Sequence, residues 1–153
     1  MSVAERFADA WNGFLGRIRH SDAEKLEAGD RHDFDEFAGH KHCLVVTYRR
    51  SGEAVPTPVW FGIGDDKIYF RSEERVGKIK RIRANETVLV APCDSRGKPL
   101  GSGVEARARL LPAEEEDRAE EAIQSNFGLG RRVYESAAMS VGPTGVYVEV
   151  TAK

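Results

Sequence analysis

The sequence has little cysteine and no long apolar run. Its 153 residues contain two cysteines, Cys43 and Cys93, and their separation excludes the Cys-x-x-Cys spacing of zinc and redox sites. We therefore expect two reduced thiols. No apolar stretch approaches the roughly 20 residues that a membrane-spanning helix needs, and the charged residues Glu5, Arg6 and Asp9 interrupt any signal-peptide core. These absences predict a cytoplasmic protein without a membrane span.

The motifs of several enzyme classes are also absent. The chain contains no P-loop, no Gly-x-Gly-x-x-Gly and no nucleophile elbow, which disfavours P-loop nucleotide hydrolysis, a Rossmann dinucleotide site and α/β-hydrolase chemistry. His40 and His42 could project from one face of a strand, but no third ligand is indicated, so no metal site is predicted. The formal net charge of -2, and the lack of aromatic residues in the basic segment 71–83, argue against nucleic-acid binding.

The composition suits one globular domain. Hydrophobic residues make up 41% of the chain and charged residues 31%, which is ordinary for a soluble protein with a single core. We expect one domain over residues 1–153, with a helical N-terminal extension at 1–38 and the remainder at 39–153. Charge is uneven, because residues 71–83 hold six basic and two acidic side chains, whereas residues 114–121 hold six acidic and one basic.

The first forty residues have a helical pattern. Apolar residues recur at spacings of three and four along one helix face, at Phe7, Trp11, Phe14, Leu15 and Ile18. Ser21 and Glu24 form a capping box that begins a second short helix, which ends near Gly29. A third short helix is expected to follow and to bury Phe34 and Phe37.

From residue 42 the apolar period changes to that of β-strands. Short β-rich runs separated by turns predict five or six antiparallel strands, at residues 43–48, 55–63, 67–72, 87–91, 104–111 and 146–150. Helices are predicted at residues 77–84, 112–127 and 131–139. Antiparallel strands joined by tight turns, with helices around the outside, predict a small barrel of the α+β class.

The predicted strand at 55–63 contains two prolines, Pro56 and Pro58. Proline has no backbone N–H, so a central strand with neighbours on both sides would lose two ladder hydrogen bonds. This strand must therefore border an edge, a bulge or a ligand.

The basic helix predicted at 77–84 follows a short polar loop. A helix start offers unpaired N–H groups and the positive end of the helix dipole, and Gly77 would let a ligand approach that backbone. Lys78 and Arg75 would add charge-assisted hydrogen bonds, and Ser72 a neutral donor. Alternatively, two isoleucines dock the helix and its charges form only a solvated face. Beside the donor-poor strand, however, this helix start favours an aromatic cofactor with a phosphate tail.

Several motifs across residues 37–150 resemble one family. Their residues are His42-x-Leu44-x-x-Thr47-x-Arg49-Arg50-x-Gly52, Pro56-Thr57-Pro58-Val59-Trp60-Phe61, Ile68-Tyr69-x-Arg71-Ser72 and Gly77-Lys78-x-Lys80-Arg81-Ile82-Arg83-x-Asn85. Agreement continues at Ala91-Pro92-Cys93-Asp94-x-Arg96-Gly97, Ala106-x-Ala108-Arg109-Leu110-Leu111-Pro112 and Tyr147-Val148-Glu149-Val150. The chain thereby resembles the pyridoxamine-phosphate-oxidase-like split-barrel proteins, and within them the coenzyme F-420 (deazaflavin)-dependent enzymes most closely. One departure is Asn85-Glu86, where many members have Asn-Pro; it affects the turn after the basic helix.

The resemblance implies a fold and a cofactor site. Members form a six-stranded antiparallel split β-barrel with peripheral helices, and usually a homodimer with the flavin or deazaflavin in a groove between the subunits. The implied cofactor is coenzyme F-420, with FMN as the alternative. Its ring would lie against Thr57, Pro58, Val59 and Trp60, although a core role suits Trp60 equally well. The ribityl chain and phosphate would contact Arg71, Ser72, Arg75, Gly77, Lys78 and Arg81.

The resemblance also implies a reaction. An F-420-dependent oxidoreductase transfers a hydride between the deazaflavin and a small organic substrate, here unidentified. The alternatives are an FMN-dependent flavoprotein of the same fold and a non-catalytic carrier of a flavin, haem or lipid-like ligand. No catalytic residue is identified, because Tyr48, Tyr69 and Tyr134 are possible proton donors but a structural role is favoured for each.

Overall fold

The structure is a computed structural model that describes residues 21–127 and 145–153. The strands of this part of the chain are β1 (His42–Tyr48), β2 (Ala54–Gly64), β3 (Lys67–Glu73), β4 (Thr87–Cys93), β5 (Val104–Leu110) and β6 (Gly145–Ala152). They are accompanied by the α-helices α1 (Gly77–Ala84) and α2 (Glu116–Phe127), and by 3₁₀ helices at Ser21–Lys25, Asp35–Phe37 and Ala113–Glu115. Each strand agrees closely with a predicted one, and α1 has the predicted bounds.

The six strands form one closed antiparallel barrel, with neighbours in the order β1, β2, β3, β6, β5, β4. The turn between β2 and β3 consists of Asp65 and Asp66, whose φ angles are 51° and 62°. Two consecutive residues with positive φ are typical of the tight hairpin turn that matches the twist of antiparallel strands. The predicted α+β class and six-stranded antiparallel split barrel are confirmed.

The barrel interior is filled by alternate residues of each strand. In β1, Cys43 and Val45 belong to the interior core, while Leu44 belongs to a separate cluster on the outer face. Ile79 and Ile82 of α1 are buried in the interior core, as predicted. This helix therefore packs against the barrel through its apolar face, and its charged residues lie on either side of that face.

β2 is paired differently along its length. Residues 54–60 pair with β1, whereas residues 61–64 pair with β3. Within the described ranges, the first half of β2 thus has a strand on one side only. This half contains both prolines, in agreement with the predicted position at an edge.

The alternation of hydrogen bonds between β1 and β2 shows on which side of β2 the two prolines lack a backbone N–H. The Arg49 N–H donates to the Glu53 carbonyl oxygen at 2.9 Å, in the register that continues from β1 and β2. Because directly opposed residues alternate between hydrogen-bonded and non-hydrogen-bonded pairs, Pro56 and Pro58 fall at non-hydrogen-bonded positions relative to β1. Their N–H groups, if present, would point away from β1, so the prolines do not weaken the β1–β2 pairing.

Helix α2 packs closely on the outer face of the barrel. A Cβ added to Gly62 would lie 2.0 Å from the carbonyl oxygen of Ala122, so only glycine allows this approach. At the end of the helix, the Asn126 side-chain amide donates to the carbonyl oxygens of His40 at 3.0 Å and Phe61 at 2.8 Å. These contacts fix the position of α2 on the barrel.

The first helical segment is shorter than predicted. Ser21–Lys25 is a 3₁₀ helix that does not continue to Gly29. The physical reason is a competing backbone pairing, because Gly29 N–H donates to the Gly103 carbonyl and Gly103 N–H donates to the Glu27 carbonyl, at 2.8 and 3.1 Å. This pairing draws residues 27–29 into an extended contact.

Two other helical predictions are partly confirmed. Phe34 and Phe37 are buried around the 3₁₀ helix Asp35–Phe37, as expected. The predicted helix at 112–127 begins with a 3₁₀ turn before α2. The apolar stripe at 7–18 and the helix at 131–139 lie outside the described residues. In the described part of the chain, no helix has the length and hydropathy to cross a bilayer.

Candidate functional site

The start of α1 presents backbone donors without a side-chain cap. Val76 precedes the helix in an extended conformation, and no side chain caps the helix at this position. The first N–H groups of any α-helix have no partner within the helix, and the helix dipole adds positive partial charge there. The backbone feature predicted for anion binding is therefore present, and Gly77 is exposed to solvent.

The guanidinium group of Arg81 folds back over this helix start. A Cβ added to Gly77 would lie 2.6 Å from Arg81 Nη1. Arg81 Nε donates to Thr47 Oγ1 at 2.6 Å, and Thr47 is fully buried in β1. Gly77 thus has a role beyond the predicted approach of a ligand to its backbone, because its missing side chain makes room for Arg81. The guanidinium is held in place by a hydroxyl of the barrel.

Lys78 places a second cation next to the barrel interior. Its electrostatic neighbours are Arg81 and the fully buried Cys43, and burial together with the charge of Arg81 lowers the pKa of Lys78 to about 8. Among the described residues, no hydrogen bond or ion pair is made by this ammonium group. Lys78 is partly exposed, and a bound anion would offset the cost of its partial burial.

No carboxylate acts on the pKa of Lys78 or on that of Arg81. Burial and the positive charge of Arg49 lower the pKa of Arg81. Arg49 itself is exposed, and its Nε lies 3.5 Å from Glu53 Oε2. We refer to Lys78 and Arg81 together as the α1 cation pair. In the part of the chain that the structure describes, this pair carries two positive charges that no carboxylate neutralises, an arrangement that suits an anionic ligand.

The predicted ring-contacting residues of β2 are divided between two faces of the sheet. Thr57 and Val59 oppose interior residues of β1, so they share the interior face with the α1 cation pair. Pro58 and Trp60 lie on the outer face. Trp60 stacks on Phe127 of α2, with 4.7 Å between ring centroids and 9° between ring planes. Trp60 thus makes a packing contact, and its predicted contact with a cofactor stays a prediction.

The predicted residues at the end of β3 also lie on opposite faces. Ser72 is buried and follows Ile68 and Phe70 of the interior core in the strand alternation. Arg71 lies on the outer face, where its guanidinium carbon is 5.6 Å from the ring centroid of Tyr147. Arg75 is exposed in the loop before α1. The interior face thus combines Ser72 with the β2 residues and the α1 cation pair, and separates them from Arg71.

Two residues near the α1 cation pair were not assigned a role from the sequence. Thr47 orients Arg81, and Arg49 adds positive charge beside it. Both belong to the first motif that resembles the split-barrel family, and this was the available signal. Their contact with α1 depends on long-range packing, which a local sequence pattern does not contain.

A second charged group lies on the outer face, and its buried carboxylate is fully paired. Glu149 of β6 is 4% exposed and accepts hydrogen bonds from Tyr69 Oη at 3.0 Å, Arg109 Nη2 at 3.1 Å and Arg118 Nη2 at 2.9 Å. Lys67 Nζ lies 3.7 Å from its Oε1. We refer to these five residues as the Glu149 cluster. It joins β3, β5, β6 and α2 around one buried carboxylate.

The pKa values in this cluster indicate a structural role. Burial acts to raise the pKa of Glu149, but hydrogen bonds from Arg109 and Tyr69 hold it below its ordinary value. Burial and the hydrogen bond to Glu149 raise the pKa of Tyr69 to about 12, so its phenol is a poor proton donor. Burial also raises the pKa of Tyr48, while Tyr134 lies outside the described residues.

Comparison with known proteins shows similarity in fold. No protein-family model matches the chain, and no curated protein sequence matches it. Among solved structures, an FAD-binding protein from Mesorhizobium loti is 19% identical with a TM-score of 0.55, over 77% of this chain and 82% of that one. The heme storage protein HutZ from Vibrio cholerae is 10% identical with a TM-score of 0.59, over 78% and 87% of the two chains.

A candidate pyridoxamine 5'-phosphate oxidase from Listeria innocua is 18% identical with a TM-score of 0.51, over 74% of this chain and 85% of that one. For two further structures the match covers 48% and 51% of the other chain. At these identities the likeness concerns the fold alone. The described chain has the split-barrel fold that flavin-binding, pyridoxamine-phosphate-oxidase-like and heme-storage proteins share.

Proposed function

We propose that this protein is an oxidoreductase that binds the deazaflavin coenzyme F-420 and transfers a hydride between it and a small organic substrate, with FMN as the alternative cofactor. The observation that carries this proposal is the α1 cation pair, because two partly buried positive charges without a carboxylate suit a phosphate group. The names of two structural neighbours, an FAD-binding protein and a candidate pyridoxamine 5'-phosphate oxidase, support a flavin-like ligand.

In this proposal the cofactor phosphate is held at the start of α1. Lys78 and Arg81 provide charge-assisted hydrogen bonds, each worth about 1.5–3 kcal/mol. The first amides of the helix add donors, since no side chain caps them. Thr47 keeps the Arg81 guanidinium in one orientation, so less side-chain freedom is lost when the ligand binds.

The ring system would lie along the half of β2 that has a strand on one side. Thr57 and Val59 face the same side of the sheet as the α1 cation pair, and Ser72 lies on that side at the end of β3. We further propose a homodimer in which Pro58 and Arg71, on the outer face, contact the cofactor bound by the other subunit. Arg75, exposed in the loop, would complete the phosphate contacts.

When bound, the flavin or deazaflavin ring supplies the hydride chemistry. The residues of this chain anchor the phosphate, orient the ring against the sheet and exclude water from the apolar interior face. No proton donor is assigned, because the Tyr69 phenol is bound to the Glu149 carboxylate. We expect the protein to work in the cytoplasm as a single domain.

The first test is cofactor binding, measured by fluorescence titration of the purified protein with F-420 and with FMN. We expect saturable binding that is weakened far more by Lys78→Ala than by Lys80→Ala, because Lys80 is exposed on the same helix. Equal and negligible effects of the two substitutions would indicate that both lysines only form a solvated surface. Tight binding of FMN without F-420 binding would select the flavoprotein alternative.

The second test separates an enzyme from a carrier. Oxidation of the reduced cofactor is followed with a panel of quinones, enones, nitro compounds and tetrapyrroles. We expect at least one substrate class to accelerate the oxidation in a protein-dependent manner. A flat response with intact cofactor binding would favour the non-catalytic carrier of a flavin, haem or lipid-like ligand.

A further inference from the structure

The Arg71 side chain lies over an aromatic ring of the neighbouring strand. Arg71 of β3 and Tyr147 of β6 are directly opposed in the barrel, so their side chains are neighbours on the outer face. The guanidinium carbon of Arg71 is 5.6 Å from the centroid of the Tyr147 ring, which is within the range of a cation–π contact. Both residues are partly exposed. One face of the guanidinium is therefore supported by the tyrosine ring.

Tyr147 is itself fixed at its backbone and at its hydroxyl group. Its carbonyl oxygen accepts a hydrogen bond from the Leu111 N–H at 2.9 Å. Its Oη donates to Glu120 Oε2 of α2 at 2.7 Å, and the other oxygen of that carboxylate accepts from Gln124 Nε2 at 3.2 Å. A tyrosine side chain has only two torsions to order, so a ring bound at its far end is rigid. Tyr147 is thus a preorganised support for Arg71.

We propose that Tyr147 is a positioning residue of the cofactor site: its ring holds the Arg71 guanidinium in the orientation that binds the cofactor, and Glu120 fixes the ring. This inference rests on the proposed function, in which Arg71 contacts the cofactor held by the other subunit. A guanidinium that is already ordered loses less side-chain freedom on binding, which raises affinity without a new contact to the ligand. Arginine suits this arrangement better than lysine, because its planar group stacks on an aromatic face and still presents N–H donors at its edge.

A purely structural role for Tyr147 makes a different prediction. Its ring also packs against the apolar cluster that joins α2 to the barrel. If packing were its only role, loss of the ring would weaken cofactor binding by the same factor whether Arg71 is present or replaced. In the positioning role, the effect of losing the ring disappears when Arg71 is replaced.

The test is a double-mutant cycle on cofactor affinity. Tyr147→Leu, Arg71→Met and the double variant of the full chain are titrated with FMN and with F-420 by fluorescence. We expect Tyr147→Leu to weaken binding about fivefold in the wild-type background, the effect of ordering one side chain, and less than about 1.5-fold in the Arg71→Met background. Tyr147→Phe keeps the ring and loses only the Glu120 contact. It should weaken binding about twofold, again only when Arg71 is present, so the cycle can be measured even where Tyr147→Leu does not fold.

The matched control is Tyr69→Phe. It also removes a hydrogen bond from a phenol to a carboxylate on the outer face of β3, but Tyr69 lies opposite Glu149 in the register. We expect its cofactor affinity to equal that of the wild type.

Two results would overturn the positioning role while cofactor binding itself stands. One is an equal loss of affinity on Tyr147→Leu in both backgrounds, and the other is an Arg71→Met variant that binds as tightly as the wild type. A wild type that binds neither FMN nor F-420 would instead reject the proposed function, and the positioning role with it.

Discussion

The α1 cation pair and the Glu149 cluster place buried or partly buried charges on opposite faces of the same sheet, and they differ in how those charges are balanced. In the Glu149 cluster one buried carboxylate is surrounded by three cations and a phenol within hydrogen-bond or ion-pair distance. In the α1 cation pair two cations lie together, and no carboxylate acts on either. The first arrangement is complete without a ligand, whereas we propose that an anion completes the second.

The difference shows which buried charges indicate a ligand. Burial alone does not, because Glu149 is more buried than Lys78 and yet serves to join four elements of the fold. The distinguishing feature is whether a carboxylate lies among the cations, since a charge without an oppositely charged partner lowers stability until one binds. Substitutions in the two groups should therefore have opposite effects on the stability of the ligand-free protein.

The largest expected effect is a loss of stability in Glu149→Gln. The substitution removes the charge that three cations share, and we expect the free energy of unfolding to fall by about 3 kcal/mol, the lower end for a broken buried pair, because the cations are partly exposed. Urea denaturation monitored by circular dichroism measures this change in the free energy of unfolding. Glu115→Gln, which removes a more exposed carboxylate on the same arginines, should cost less.

The same cluster predicts loss of stability in acid. The folded-state pKa of Glu149 lies below its ordinary value of 4.5. The contribution of Glu149 to the free energy of unfolding is therefore complete above pH 4.5 and is lost as the pH falls through the folded-state pKa. The Glu149→Gln variant should show a weaker dependence of unfolding free energy on pH in this range. An unchanged acid dependence would mean that other carboxylates dominate.

A second loss is expected in Gly62→Ala, which tests whether the cluster depends on the position of α2. The added Cβ would lie 2.0 Å from a backbone oxygen, so the helix must move, and overpacking of this kind costs about 1–3 kcal/mol. Because α2 carries Arg118, the shift should also weaken its contact with Glu149. Double-mutant analysis with Glu149→Gln should give less than additive losses, and strict additivity would show that the two sites are independent.

A smaller effect of opposite sign is expected in Lys78→Met. Removal of a partly buried cation that no carboxylate compensates should stabilise the ligand-free protein by about 1 kcal/mol. The folded-state pKa of about 8 lies below the ordinary 10.5, so in the wild type the unfolded chain binds more protons between these values and stability rises with pH across that window. The difference between the unfolding free energies at pH 7 and pH 10 should therefore be smaller in the variant than in the wild type. Destabilisation at both pH values would contradict the comparison.

The smallest effect is expected in Thr47→Val, which keeps the shape of the side chain but removes the hydroxyl that accepts from Arg81 Nε. Loss of this hydrogen bond, which orients Arg81, corresponds to about 1 kcal/mol, or roughly fivefold weaker cofactor binding. Titration with FMN or F-420 measures this change. Thr151→Val, at an exposed position of β6 to which no cofactor contact is assigned, serves as the control for substitution of a threonine.

The strands and α1 could be predicted from local sequence because alternation and the spacing of Ile79 and Ile82 reflect which side of each element is buried. The alternation also implies that Pro58 and Val59 face opposite ways, and the cofactor contacts of both residues stay a prediction. Thr47 and Arg109 acquire their roles from contacts with residues far away in the chain. Their functions depend on strand register and helix packing, which a single sequence does not specify locally.

The most direct test of the anion site compares the affinities of FMN and riboflavin, which share a ring and a ribityl chain and differ in the phosphate. Binding is measured by fluorescence titration for the wild type and for Lys78→Ala. We predict that the wild type binds FMN at least about tenfold more tightly than riboflavin, equivalent to one charge-assisted hydrogen bond or more, and that Lys78→Ala loses most of this preference. Equal affinities for FMN and riboflavin in the wild type would contradict a phosphate site at the α1 cation pair.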